Sequence, residues 1–261
     1  MRLTRLRWKM RSELAEFQEY VGRYDLTDDK VRLKVVHTMK VCALMDELAQ
    51  SLGLSERERD IAYVTALFHD IGRFEQLRRY GTFVDYQSVD HADLGVQILK
   101  EEGLLDGFGD EEKERILTAI ALHNKYELPM LDEKTLLLAR MIRDADKCDI
   151  FRVFASKDLT SATSTTLSSV QDEVVSAEIE RMLFEHRCVE KEKRKTGLDV
   201  WMTFLGFFFD MNFSETIRIA KKQGYYRQPF DGVAFTRAQE QIDRILAEVE
   251  RYIDERLQEN V

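Results

Sequence analysis

Apolar residues along the chain recur mostly at spacings of three and four and seldom at two, so the pattern predicts helices almost throughout. Only Pro129 and Pro229 interrupt it. The predicted helices cover 5–22, 29–53, 56–71, 91–103, 110–125, 132–155, 170–187, 198–210, 213–223 and 236–258. Thr27 and Ser55 suit N-caps, and Ser55 with Glu58 three residues later reads as a capping box. Gly53 and Gly103 suit helix stops. The stretch 74–90 shows no helical period and reads as a loop or short ribbon. Residues 160–169, small and polar, read as a mobile connection, and 187–195 as a solvated charged face. Ile242, Leu246, Val249, Ile253 and Leu257 give the last helix a continuous apolar stripe. The expected fold is all-α, a single domain over 1–261.

Several ionisable residues stand on these apolar stripes. His37 shares a face with Leu33, Val41, Leu44 and Leu48. His123 follows Ile116, Ala119 and Ile120, and His91 opens a helix that continues through Leu94, Gly95 and Ile98. Asp146 shares a stripe with Leu138, Ala139, Ile142 and Ile150. His69 and Asp70 end the apolar run of "VTALFHDIGRFEQ". A single such histidine is usually a core residue bonded to a backbone carbonyl. His186 follows Ile179, Met182 and Leu183 but borders the charged run, and reads as structural.

Together the positions say more. Four of the five histidines and two carboxylates face inward from separate helices, and helices side by side can bring such groups to one point. A buried carboxylate without a partner costs several kcal/mol. One kind of partner satisfies the whole set, a divalent cation, and mixed imidazole and carboxylate donors suit Mn, Fe, Zn, Co or Ni. His69 and Asp70 are about 100° apart on a helix, so both reach one centre only if the helix ends there. Gly72 is placed to end it. Asp144 competes with Asp146 for the last carboxylate position but falls off its stripe, and Asp149 lies one turn from Asp146 as an outer partner.

The ordered pattern His37, His69-Asp70, His91, His123, Asp146 resembles the HD-domain superfamily of metal-dependent phosphohydrolases. "RLKVVHTMKV", "ALFHDIGRFEQ", "GTFVDYQSVDHADLG", "IALHNK" and "RDADKCDIF" carry the resemblance, which spans about 30–150. It implies an HD-domain helical bundle around a metal site, with 156–261 as a C-terminal helical extension. It further implies that His37, His69, Asp70 and Asp146 hold a first metal, and that His91 and His123 hold a second with Asp70 bridging. Arg73 stands where many members have Lys, so a planar fork replaces a point charge. The expected function is metal-dependent hydrolysis of a nucleotide or small phosphoester by metal-activated water. Asp70, Arg73 and Lys147 are the expected catalytic residues, with Arg73 and Lys147 binding phosphate. Arg78, Arg79, Lys125 and Arg143 are weaker phosphate-binding candidates and read first as solvated surface charges. Two other readings share the pattern: a di-iron oxygenase of the same superfamily, and a catalytically silent nucleotide-binding sensor.

Composition narrows the partners. A formal net charge of -9 disfavours non-specific binding to nucleic acid or anionic membrane. Cys42, Cys148 and Cys188 form no CxxC pair and cannot all be paired, which fits a reducing compartment. The basic N-terminus lacks an apolar signal core, and the longest apolar run, "WMTFLGFFF" at 201–209, is too short to span a bilayer. That run reads as core or as a subunit contact, leaving a homodimer open. The expected location is the cytoplasm.

Overall fold

Three short polar side chains start the helices that carry the site. Asp28 accepts from the backbone N–H groups of Lys30 and Val31, Ser55 from Glu58, and Asp90 from Ala92 and Asp93. The computed structural model describes residues 2–156 and 165–259, with side chains from residue 12 onward. The chain divides into two compact units, Met1–Ala145 and Asp146–Val261. The first contains α1 (Arg2–Val21), α2 (Asp29–Ser51), α3 (Glu56–Phe68), α4 (Ile71–Tyr80), α5 (His91–Glu101), α6 (Asp110–Leu122) and the first part of α7 (Glu133–Ala155). No strand occurs among the described residues, and the protein is all-α.

In the first unit α2 packs along α3, α3 on α1 and α6, and α5 between α4 and α6. Phe17, Phe68 and Phe74 meet in its core, with Phe17 ring centroids 6.3 and 6.1 Å from the other two. In the second unit, helices Ala177–Phe184, Gly197–Gly206, Ser214–Gln223 and Gln239–Gln258 surround Trp201, Phe154 and Phe208. The run at 201–209 is core here: Trp201, Met202, Leu205 and Phe208 are all buried, and 207–210 tightens into a 3₁₀ turn. His186 donates to or accepts from Glu248 through Nε2 at 2.6 Å and stacks on Phe209, a structural role. No helix among the described residues is long and apolar enough to cross a membrane.

Several sequence expectations are corrected. The cap of α2 is Asp28, because Thr27 instead bonds back to Asp25. The helix expected at 56–71 stops at Phe68, and a new one, α4, runs through the first part, 74–80, of the stretch expected to be loop, while 81–90 holds only a short 3₁₀ turn. The period of α4 was hidden because its inward face carries Glu75 and Gln76, polar yet buried, beside Ile71 and Phe74. The helix expected at 170–187 is reduced to a turn at Leu167–Val170 and the helix Ala177–Phe184. Between them the Val175 N–H donates to Gln241 and the Ser176 N–H to Asp199, so side chains take the bonds a helix would use. Most of the connection expected at 160–169 lies outside the described residues.

Candidate metal centre

Five ionisable side chains of the first unit converge from four helices and one break. His37 projects from the middle of α2, His69 caps the C-terminus of α3, His91 is the first residue of α5, and His123 caps the C-terminus of α6. Asp70 is the break itself, leaving helical geometry at φ -106°, ψ 15° before α4 begins. Gly72 does not end a helix, as the sequence implied. It lies in the first turn of α4, where a Cβ would stand 2.1 Å from the His91 carbonyl oxygen and 2.7 Å from the Gly95 nitrogen. Bare backbone there lets α5 approach, and that approach delivers His91 to Asp70.

The five side chains form two trios that share Asp70. In each, one ligand atom per residue lies within 4.8 Å of the others: His37, His69 and Asp70, then Asp70, His91 and His123. Asp70 Oδ2 is 3.7 Å from both His37 Nε2 and His69 Nε2. Asp70 Oδ1 is 3.5 Å from His91 Nε2 and 3.9 Å from His123 Nε2. All five residues are buried.

Hydrogen bonds fix which ring nitrogens are bare. His69 Nδ1 faces the Ala66 carbonyl and His123 Nδ1 the Ile120 carbonyl, each at 2.7 Å, and a carbonyl can only accept. His91 Nδ1 faces Asp85 Oδ2 at 2.8 Å. Burial, aided by the nearby Arg73 cation, pushes the His91 imidazole down to about 3 despite the Asp85 hydrogen bond, so the ring is neutral at pH 7 with its proton on Nδ1. The Nε2 atoms of His91 and His123 face each other across 3.0 Å. His37 Nε2 and His69 Nε2 are 3.3 Å apart. Two imidazole nitrogens about 2.1 Å from one cation, at angles of about 90–110°, stand about 3.0–3.4 Å apart. The donor set and both separations fit a divalent metal.

Positive side chains flank the shared carboxylate. Lys34, one turn before His37 on α2, donates to Asp70 Oδ2 at 2.7 Å. Arg73 Nε lies 3.5 Å from Asp70 Oδ1 without bonding to any acceptor, while its Nη1 donates to Gln76, the Phe83 carbonyl and Asp85. Burial alone would raise the Asp70 pKa, but Lys34, His69, Arg73 and His91 outweigh it and hold the carboxyl well below the usual range. Lys34 escaped the sequence reading. Its only signal was a lysine one turn from a candidate ligand. Asp85 lies in the stretch 74–90, which shows no helical period, so its spacing gave no link to a candidate ligand.

The remaining candidates are placed as follows. Asp146, half-buried on α7, opens the second unit. Asp144 is buried but belongs to neither trio. Asp149 is bonded to Arg152, and Lys147 donates to Asp210 at 2.5 Å. Arg78 and Arg79 pair with Glu75, and Lys125 with Asp90. Arg143 is buried rather than solvated, and donates to the carbonyls of Leu122, the last residue of α6, and of Lys125 and Tyr126 beyond it, so it holds the turn after His123.

An all-α bundle with a buried His/Asp cluster at its helix ends defines a class of protein suited to binding divalent metal. Residues 35–150 match the family model of the HD domain. The domain points to the metal-dependent phosphohydrolase superfamily. No curated protein and no solved structure matches the chain.

Proposed function

We propose that the chain is a hydrolase of nucleotides or other small phosphoesters that works with two divalent cations. The observation that carries this reading is the Asp70 carboxylate, which turns one oxygen to each histidine pair. His37, His69 and Asp146 with Asp70 would hold the first cation, and His91 and His123 with Asp70 the second. A pair of such cations, when bound, supplies a water whose pKa falls from about 15.7 to near 7 and a clamp on phosphoryl oxygens.

The chain's own residues supply orientation and charge. The Nδ1 bonds of His69, His91 and His123 keep all three Nε2 lone pairs turned to the centre. Lys34 and Arg73 provide positive charge beside Asp70, where an anionic substrate would otherwise meet a carboxylate. Arg73 is the first candidate for a phosphate oxygen, since a guanidinium can grip it with two hydrogen bonds. Lys147 is the second and would have to leave Asp210 to serve.

The test is a phosphoester screen of chelator-stripped protein reloaded separately with Mn, Fe, Zn, Co or Ni, with and without oxygen. Phosphate release that needs metal and proceeds equally without oxygen is the expected result. Metal-loaded protein that turns over no phosphoester, or turnover that requires oxygen, overturns the reading.

A further inference from the structure

We propose that Asp85 is the positioning residue for the His91 half of the centre. The inference rests on reading the cluster as a metal centre. His69 and His123 are oriented by the same local device, a backbone carbonyl three residues earlier at the end of their own helix. His91 cannot use that device, because it starts its helix instead of ending one. Its Nδ1–H is held by a carboxylate from a different segment, the 3₁₀ turn Asp85–Gln87.

That carboxylate is itself fixed on both sides. Its other oxygen accepts from Arg73 Nη1 at 2.9 Å and from Gln76 Nε2 at 2.8 Å. Gln76, fully buried on α4, also reaches Ser88 Oγ at 2.9 Å and the Val89 carbonyl at 3.0 Å, so it pins the whole connection leading into α5. Asp90 is the rival, since its carboxylate also lies close to His91. It is spent elsewhere: on the N–H groups of Ala92 and Asp93 at the start of α5, and on Asn124 and Lys125. One hydrogen-bonded network thus runs from α4 through half-buried Asp85 to a ring whose Nε2 faces Asp70. An anionic acceptor also makes the ring a stronger donor to a cation than a carbonyl does.

The experiment titrates Mn²⁺ alone into chelator-stripped full-length protein, comparing wild type, Asp85→Asn and Asp85→Ala by calorimetry. A second readout needs no metal: the tautomer of the His91 ring from its side-chain nitrogen resonances. Asp85→Asn is expected to weaken one of two equivalents about 10–100-fold and to leave the other nearly unchanged. In metal-free protein, His91 is expected as the Nδ1–H tautomer in wild type and as a mixture in Asp85→Ala. Equal weakening of both equivalents, no weakening of either, or an unchanged tautomer in Asp85→Ala overturns the proposal. Wild type that takes up fewer than two equivalents overturns the two-metal reading instead, and the tautomer comparison still decides whether Asp85 orients His91.

Discussion

Replacing Gly72 by Ala should destabilise the protein although the residue lies inside a helix. Neither Gly72 nor Gly95 has a positive φ, so alanine is conformationally acceptable at both and should gain about 1 kcal/mol of helix propensity. Packing reverses the sign at Gly72. Its Cβ would stand 2.1 Å from the His91 carbonyl oxygen and 2.7 Å from the Gly95 nitrogen, both backbone atoms that no rotamer change can move. Relief requires α4 and α5 to separate by about 1 Å, at an overpacking cost of about 1–3 kcal/mol or more. At Gly95 the nearest atom to a new Cβ is the Gly72 nitrogen at 3.4 Å, which is tolerable. We expect Gly72→Ala to lose about 2 kcal/mol net, or about 4–8 °C in Tm. Gly95→Ala should equal or exceed wild type. The same separation moves His91 from Asp70, so Gly72→Ala should also bind Mn²⁺ less well when calorimetry is run beside thermal denaturation. Gly72→Ala as stable as Gly95→Ala, with unchanged Mn²⁺ uptake, would refute the close-approach argument.

Two further outcomes follow from buried charges. Arg143→Met strips its donors from the Leu122, Lys125 and Tyr126 carbonyls and should cost about 2–3 kcal/mol in chemical denaturation, with Mn²⁺ affinity falling as His123 loses its support. Glu75 is buried, which raises its pKa, but Arg78, Arg79 and Tyr24 outweigh that and hold it below its ordinary 4.5. Its stabilising contribution is therefore complete above about pH 4.5 and is lost as pH falls through the lower folded-state value. Glu75→Gln should be less stable at pH 7 and show a shallower loss of Tm between neutral pH and pH 3. A parallel pH dependence in the two proteins would count against this.

Residues that obey a simple period were legible in the sequence. His37, His91 and His123 stood on apolar stripes, and the structure buries all three beside His69 and Asp70. The helical class was equally legible, because the chain has few prolines and a persistent spacing of three and four. Local context hid the rest. α4 was missed because burial there is satisfied by hydrogen bonds, Glu75 to its arginines and Gln76 to Asp85, and these leave no apolar signature. A helix end near His69 and Asp70 was anticipated but placed at 71, and Gly72 serves instead the packing of α4 on α5, a contact between segments that spacing cannot reveal. Lys34 and Asp85 share that property: each matters through a partner 36 or 6 residues away in sequence, on another element.

Asp70 is common to both trios of the first unit, so the account depends most on it. On the proposed two-metal reading, removing its carboxylate would take away the shared oxygens and the negative charge that offsets two dications. The direct measurement is the metal content per chain of wild type, His37→Ala, His91→Ala and Asp70→Ala, each reloaded after chelation and passed through gel filtration. The account predicts two equivalents in wild type, fewer in either histidine variant, and the lowest content in Asp70→Ala. Two equivalents retained by folded Asp70→Ala would contradict it.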